Sequence, residues 1–174
     1  MEWMLMPLKR YAEFSGRSRR MEFWMWQLFK IGVMFVFWIV FFALAGSAAM
    51  SGDPSALMAV GGVAMILWLI MMLFFLAIVI PDIAVAVRRL HDTNRTGWWF
   101  LAPFAPYVLV ILGGVMAAAN PNAPGLGGVL VIIGMVGVFG LALTLLVFYF
   151  LEGTRGPNKY GPDPKGQQAD QVFA

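Results

Sequence analysis

The sequence has no cysteine, only one histidine and few charged residues, which make up 12% of its 174 positions. Without cysteine there are no disulfides, thiolate nucleophiles or cysteine-ligated metals. A single histidine does not supply a zinc site, which usually takes about three or four protein ligands. Soluble domains are about 25% charged, whereas this chain is 61% hydrophobic. Because so much apolar surface would aggregate in water, we predict a membrane protein.

Four apolar segments are long enough to cross a bilayer: residues 23–45, 56–80, 98–119 and 129–151. A transmembrane helix needs about 17–25 such residues, and each helix satisfies its own backbone polar groups in lipid. The predicted fold class is an all-α membrane protein with four transmembrane helices in two antiparallel hairpins. We expect the first segment to be retained, because a cleaved signal peptide has an apolar run of only about 7–15 residues.

The basic residues predict the orientation. All 12 lysines and arginines lie before or just inside the first span, between the second and third spans, or after the fourth. The other two connections, 46–55 and 120–128, contain none. The positive-inside rule therefore places both termini and the central connection in the cytoplasm. The expected parts are a basic and aromatic N-terminal segment (1–22), a transmembrane domain (23–151) and a Gly/Pro-rich tail (152–174).

Two charged residues lie at membrane depth, one inside the first span and one just after the second apolar segment. Lys30 is seven residues into the first span and Asp82 is six residues before Arg88, so each lies about 10 Å from the same membrane face at about 1.5 Å per residue. We predict that Lys30 and Asp82 form a structural ion pair. In the alternative, Lys30 extends to the head groups and Asp82 bonds locally near Pro81. Pro81 should leave a carbonyl without its usual donor and bend the helix.

The central connection reads RRLHDTNRTGWW. His91 and Asp92 could be a general base and its orienting carboxylate, but catalysis would also need a nucleophile or metal-bound water and oxyanion donors. We therefore expect Asp92 to cap or to pair with an arginine, and His91 to hydrogen-bond in the loop. We predict no catalytic residue, no metal site and no cofactor. Arg88, Arg89 and Arg95 could bind phosphate groups, or could only mark the topology.

Glycines in the third and fourth spans have a packing interpretation. Gly134, Gly137 and Gly140 recur every third residue inside an apolar run, which makes a smooth helix surface that another backbone can approach. With Gly113 and Gly114 opposite, we predict close contact between the third and fourth spans.

Three polar segments resemble, in order and spacing, the bacterial "domain of unknown function 805" family of small inner-membrane proteins. The matching stretches are FSGRSRRMEFW (residues 14–24), RRLHDTNRTGWW (88–99), and GT with NKYGPDP (153–154 and 158–164). Pro157 stands where the family more often has an acid. The resemblance covers nearly the whole chain and implies a multi-pass protein of the bacterial inner membrane. It implies no reaction.

We therefore predict a polytopic inner-membrane protein with a cytoplasmic polar surface that binds anionic lipid head groups or a protein partner. Membrane lipids are the expected partners, with a homo-oligomer or another membrane protein left open and no nucleic acid expected. The alternatives are a small oligomeric transporter or channel, disfavoured by the scarcity of polar residues in the spans, and a membrane enzyme acting on a lipid-linked phosphate. The candidate anion-binding residues are Arg17, Arg19, Arg20, Arg88, Arg89, His91, Asp92, Arg95, Asn158 and Tyr160.

Overall fold

The computed structural model of the protein describes residues 2–120 and 125–166. The helices are α1 (Glu2–Lys9), α2 (Arg20–Ser51), α3 (Pro54–Asp92), a 3₁₀ helix (Gly97–Phe104), α4 (Tyr107–Ala119) and α5 (Gly125–Phe150). No β-strand occurs in these two ranges. Helix α2, helix α3, the segment Gly97–Ala119 and helix α5 are each long and apolar enough to cross a membrane. This confirms the predicted all-α membrane fold with four spans.

The described residues form two compact units. The first contains residues 2–13 and 21–85, and the second contains residues 14–20, 86–120 and 125–166. Each unit contains one antiparallel helix pair, formed in the first unit by α2 and the part of α3 up to residue 85, and in the second by α4 and α5. The predicted pair of hairpins is therefore present.

Aromatic side chains pack α2 against α3 in the first unit. The rings of Phe37 and Trp68 meet edge to face with centroids 5.3 Å apart, and those of Phe29 and Phe74 lie 6.4 Å apart. Later residues of α2 meet earlier residues of α3, as antiparallel neighbours do. Aromatic pairs at these separations contribute about 0.5–1.5 kcal/mol beyond the area that they bury.

The structure brings the two charged residues of the spans together. Lys30 Nζ donates to Asp82 Oδ1, and the same oxygen accepts a hydrogen bond of 2.9 Å from Trp26 Nε1. The fully buried Trp26 is a partner that sequence reasoning missed. Because the carboxylate has both a charged and a neutral donor, part of its desolvation cost is offset.

The Lys30–Asp82 contact can be tested with a double-mutant cycle of Lys30→Ala, Asp82→Ala and the double variant. Since each single change leaves the other charge in the apolar region, we expect a coupling free energy of about 0.5–3 kcal/mol. Thermal unfolding in detergent measures it. Additive losses would show that the two side chains do not stabilise each other.

Helix α3 continues through Pro81 to Asp92. Pro81 has no N–H, so the carbonyl of Ala77 four residues earlier loses its intrahelical donor. The Tyr11 hydroxyl donates to that carbonyl at 2.7 Å. Sequence reasoning predicted the freed carbonyl but not the donor, which comes from the segment after α1.

Tyr11→Phe should lower the free energy of unfolding by about 1–3 kcal/mol, because it leaves the Ala77 carbonyl without a donor in an apolar region. Tyr107→Phe is the matched control, since Tyr107 is exposed and makes no side-chain hydrogen bond within the described residues. Equal unfolding temperatures for the two variants would contradict this assignment.

Glycines allow α4 and α5 to approach closely in the second unit. A Cβ added to Gly113 would lie 2.6 Å from the Gly127 carbonyl oxygen, and one at Gly134 would lie 2.9 Å from the Val110 nitrogen. The glycine-packing prediction is therefore right for these contacts, and Gly137 likewise faces Pro106. It is wrong for Gly114 and Gly140, which have no atom within 4 Å of an added Cβ.

The third span differs from the continuous helix that the sequence predicted. Residues Gly97–Phe104 form a 3₁₀ helix, and the α-helix begins only at Tyr107. Pro103 and Pro106 each lack the N–H that would continue an α-helical ladder, which accounts for the change of helix type between them. Part of the connection from α4 to α5, residues 121–124, lies outside the described ranges.

Candidate functional site

The sequence HDTNR ends helix α3 with a specific turn. The Asn94 N–H donates to the His91 carbonyl at 3.0 Å, and the Arg95 N–H donates to the Leu90 carbonyl at 3.0 Å. Asn94 has φ = 59°, a left-handed conformation that asparagine tolerates better than most residues. These are the bonds of a Schellman cap. The cap leaves Asp92 in the last turn of the helix.

Asp92 is shared by two buried arginines of the second unit. Arg17 Nε donates to its Oδ1 at 2.9 Å, and Arg89 Nη1 donates to its Oδ2. Arg89 is 0% exposed, while Arg17 and Asp92 are each 5% exposed. Both carboxylate oxygens are thus occupied by charged donors in a region that excludes most water.

The remaining donors of Arg17 bind the tail. Its Nη1 donates to the Gly156 carbonyl at 2.7 Å and its Nη2 donates to the Thr154 carbonyl. The Thr154 N–H in turn donates to the Asp92 carbonyl at 2.9 Å. We call Arg17, Arg89, Asp92 and Thr154 the polar tie. It joins the segment before α2, the end of α3 and the tail.

The guanidinium of Arg89 also caps helix α5. Its Nε donates to the Tyr149 carbonyl at 3.2 Å and its Nη2 donates to the Leu151 carbonyl. The last four carbonyls of a helix have no intrahelical donor and carry a partial negative charge, so a cation is favourable there. Arg20 adds a hydrogen bond of 3.2 Å to the Phe150 carbonyl and an exposed ion pair of 2.9 Å with Glu152.

Gly153 permits the tail to pass close to Asp92. A Cβ at this position would collide with Asp92 Oδ2. The Gly-Thr pair of the tail therefore has a physical reason: glycine gives the space and threonine gives the hydrogen bond.

His91 and Asp92 do not form a catalytic dyad in the structure. His91 Nδ1 lies 3.2 Å from the Gly16 carbonyl oxygen, and its ring stacks on Tyr160 with centroids 3.8 Å apart and planes 4° apart. Asn158 Nδ2 donates to the His91 carbonyl at 3.0 Å. The three residues hold the tail against the end of α3. Among residues 2–120 and 125–166, no group of three His, Asp or Glu side chains converges to hold a metal.

Asp163 closes the turn at the end of the described tail. Its carboxylate accepts from the backbone N–H of Lys165 at 2.9 Å and of Gly156 at 3.0 Å. The Lys165 amide is the main cause that lowers the pKa of the Asp163 carboxyl below its usual value, with the Gly156 amide adding to it. The carboxylate is therefore ionised at neutral pH. Nearby, Arg19 Nε donates to the Pro164 carbonyl at 3.0 Å.

The cations of the second unit differ in exposure. Arg17, Arg88 and Arg89 are buried. Arg19, Arg20 and Arg95 are partly exposed, and Arg155, Lys159 and Lys165 are exposed. Sequence reasoning nominated the buried and the partly exposed arginines and did not nominate the three tail cations. The signal that could have found them is their position in a glycine- and proline-rich tail, which buries little.

Arg95 is held by an aromatic ring. Its guanidinium carbon lies 3.8 Å from the centroid of Phe148, and its Nη1 donates to the Thr93 carbonyl at 3.3 Å. It forms no ion pair within the described part of the chain. Its remaining N–H groups are therefore available to an anion.

The chain is similar to a protein family of unknown function and to inner membrane proteins of Escherichia coli. A family model described as "Protein of unknown function (DUF805)" matches residues 11–162. The inner membrane protein YhaI of Escherichia coli K12 is 34% identical over 169 residues, covering 95% of this chain and 97% of the relative. The inner membrane protein YhaH of the same strain is 33% identical over 168 residues, covering 95% and 98%. The uncharacterized protein YiiR is 32% identical over 155 residues, covering 86% and 84%.

No match was found among solved structures. The family model includes the segment 14–20, the end of α3 and most of the described tail, so it includes every residue of the polar tie. With four spans and relatives that are inner-membrane proteins, the chain is a polytopic membrane protein that belongs to the DUF805 family.

Proposed function

We propose that the protein binds anionic lipid head groups through four cations of its second unit, Arg95, Arg155, Lys159 and Lys165, which we call the exposed cations. By the positive-inside rule their face of the membrane is the cytoplasmic one, with residues 1–22 and the tail 152–174 on the same side. The buried residues of the candidate set would then act as the scaffold that holds this surface.

The observation that carries the proposal is the difference in available donors. Arg17 and Arg89 donate hydrogen bonds to Asp92 and to backbone carbonyls. A phosphate would have to displace the Asp92 carboxylate to reach them. Arg155 and Lys165 are exposed and form no ion pair within residues 2–120 and 125–166. An anion can reach these two without breaking any contact.

The tail holds these cations in place although its residues 152–165 contain no helix. Asn158 and Gly161 exchange backbone hydrogen bonds of 3.0 Å in both directions, and Lys159 Nζ lies 5.0 Å from the Tyr160 ring centroid. Because Tyr160 stacks on His91, Lys159 is tied to the end of α3. Each cation near an anionic membrane surface contributes about 1 kcal/mol, so the three tail cations together would contribute about 3 kcal/mol.

The test is native mass spectrometry of the full chain exchanged into nanodiscs of phosphatidylglycerol or of phosphatidylethanolamine. We expect preferential retention of phosphatidylglycerol, weakened about 100-fold in the triple variant Arg155→Gln, Lys159→Gln, Lys165→Gln, since about 3 kcal/mol is lost. Lys9→Gln is the control, because it removes one exposed lysine outside the tail and should weaken retention by no more than about fivefold, the effect of about 1 kcal/mol. Equal retention of the two lipids by the unmodified protein would overturn the proposal.

The alternatives receive less support from the same contacts. A membrane enzyme using His91 and Asp92 would need a histidine and a carboxylate free for substrate, whereas His91 lies against Gly16 and Tyr160 and both Asp92 oxygens bind arginine. A transporter or channel would need polar groups along a span, and the Lys30–Asp82 pair is bonded to itself and to Trp26. A homo-oligomer or another membrane protein stays open as a partner.

A further inference from the structure

A shallow cleft lies at the start of the 3₁₀ helix in the second unit. Thr96, Trp98, Trp99 and Ala102 line it, and its volume is about 230 Å³. Trp98 is 78% exposed, which is unusual for so large an apolar side chain in water. Tryptophan at the start of a membrane span, however, lies at the boundary between head groups and hydrocarbon.

Arg95 stands next to this cleft in the chain and in space. The Trp99 ring meets Phe148 edge to face with centroids 5.2 Å apart, and the Arg95 guanidinium lies over the same Phe148 ring. One phenylalanine thus holds the cation and one wall of the cleft together. The combination is a phosphate-binding group beside an apolar wall at the level of the membrane interface.

We infer that this cleft binds one anionic phospholipid, with the phosphate on Arg95 and the first methylenes of an acyl chain along Trp98 and Trp99. The inference rests on the proposed function and assigns one of the exposed cations a defined site. A lipid is the occupant because the span Gly97–Ala119 begins at the cleft, so the bilayer surrounds it. Charge complementarity favours an anionic lipid, since Arg95 has no acidic partner among the described residues.

The geometry separates this site from the tail cations. Arg155 and Lys165 are exposed side chains of the tail, so they would attract any anionic head group from the membrane surface. Arg95 offers one cation whose planar donors suit phosphate, next to aromatic rings that favour an acyl chain. A lipid at Arg95 should therefore be held in one orientation, with a defined part of its acyl chain in the cleft.

The experiment is photo-crosslinking of the full chain in nanodiscs that contain phosphatidylglycerol with a diazirine near the ester end of one acyl chain. Peptide mass spectrometry locates the label. We expect label on residues 96–102, reduced about fivefold in Arg95→Gln, because one cation at the surface is lost. Ala102→Trp fills the cleft without changing the charge and should also reduce the label, while Lys9→Gln should leave it unchanged.

The outcomes distinguish the site from the general function. Label spread over the spans of the unmodified protein, or label on residues 96–102 that Ala102→Trp does not reduce, would overturn the site. If retention of phosphatidylglycerol still fell in the tail triple variant, the proposed function would stand without the site at Arg95. No preference for phosphatidylglycerol in the unmodified protein would overturn both.

Discussion

Asp92→Asn should lower the free energy of unfolding by about 3–5 kcal/mol, because it removes the carboxylate that two buried guanidinium groups share. Arg17 and Arg89 would keep their carbonyl partners but would lose the charge that offsets their desolvation. Thermal unfolding of the purified protein in detergent, followed by near-UV circular dichroism, measures the loss. The change is nearly isosteric, so packing alone would not produce a loss of this size.

The control for this substitution is Asp53→Asn. Asp53 is exposed and its Oδ1 accepts the Ser55 N–H at 2.8 Å at the start of α3. Asparagine is nearly as good as aspartate at such a cap, so its unfolding temperature should stay close to that of the unmodified protein. If Asp92→Asn and Asp53→Asn unfolded at the same temperature, the polar tie would contribute no net stability.

Gly113→Ala should also lower the free energy of unfolding strongly. Gly114→Ala, one residue away, is its control. A Cβ at Gly113 would lie 2.6 Å from the Gly127 carbonyl oxygen and 2.8 Å from the Val131 nitrogen. Both atoms belong to the α5 backbone, so α4 and α5 would have to separate. Inserting volume into such a contact lowers the free energy of unfolding by about 1–3 kcal/mol. We expect a loss in the upper part of that range, because the backbones of two helices must move.

A Cβ at Gly114 meets nothing within 4 Å. Alanine also favours a helix over glycine by up to about 1 kcal/mol, so this variant should unfold at the same or a slightly higher temperature. Equal unfolding temperatures for Gly113→Ala and Gly114→Ala would contradict the close contact between α4 and α5.

The spans could be predicted from the sequence because length and hydropathy are local properties. The break in the third span was missed, since proline is often tolerated inside transmembrane helices. Here Pro103 and Pro106 lie three residues apart, so two backbone N–H donors are missing within one helical turn. The Tyr11–Ala77 bond was half predicted: the freed carbonyl follows from Pro81 alone, whereas its donor lies 66 positions away.

The sequence predicted which residues meet at the candidate site, but not which of them are buried and which are exposed. The motif residues do meet in the second unit, but their burial depends on partners distant in sequence. Arg17 loses its solvent contact because the Gly156 carbonyl, 139 positions away, lies against it. Arg17, Arg89 and Arg155 are the same residue type, and the glycine- and proline-rich sequence around Arg155 is the local feature that marks it as different. The first two are buried and hold the tail, whereas Arg155 is exposed.

The polar tie fixes the tail and thereby separates the buried cations that hold it from the exposed ones. Hydrogen exchange of the backbone amides of the tail tests this most directly, because residues 152–166 are outside the named helices. The Thr154 N–H donates to Asp92 and the Asn158 N–H donates to Gly161. We expect both amides to exchange more than about tenfold slower than in an unstructured peptide, and Thr154 to lose this protection in Asp92→Asn. Unprotected exchange at both amides in the unmodified protein would show that the polar tie does not fix the tail.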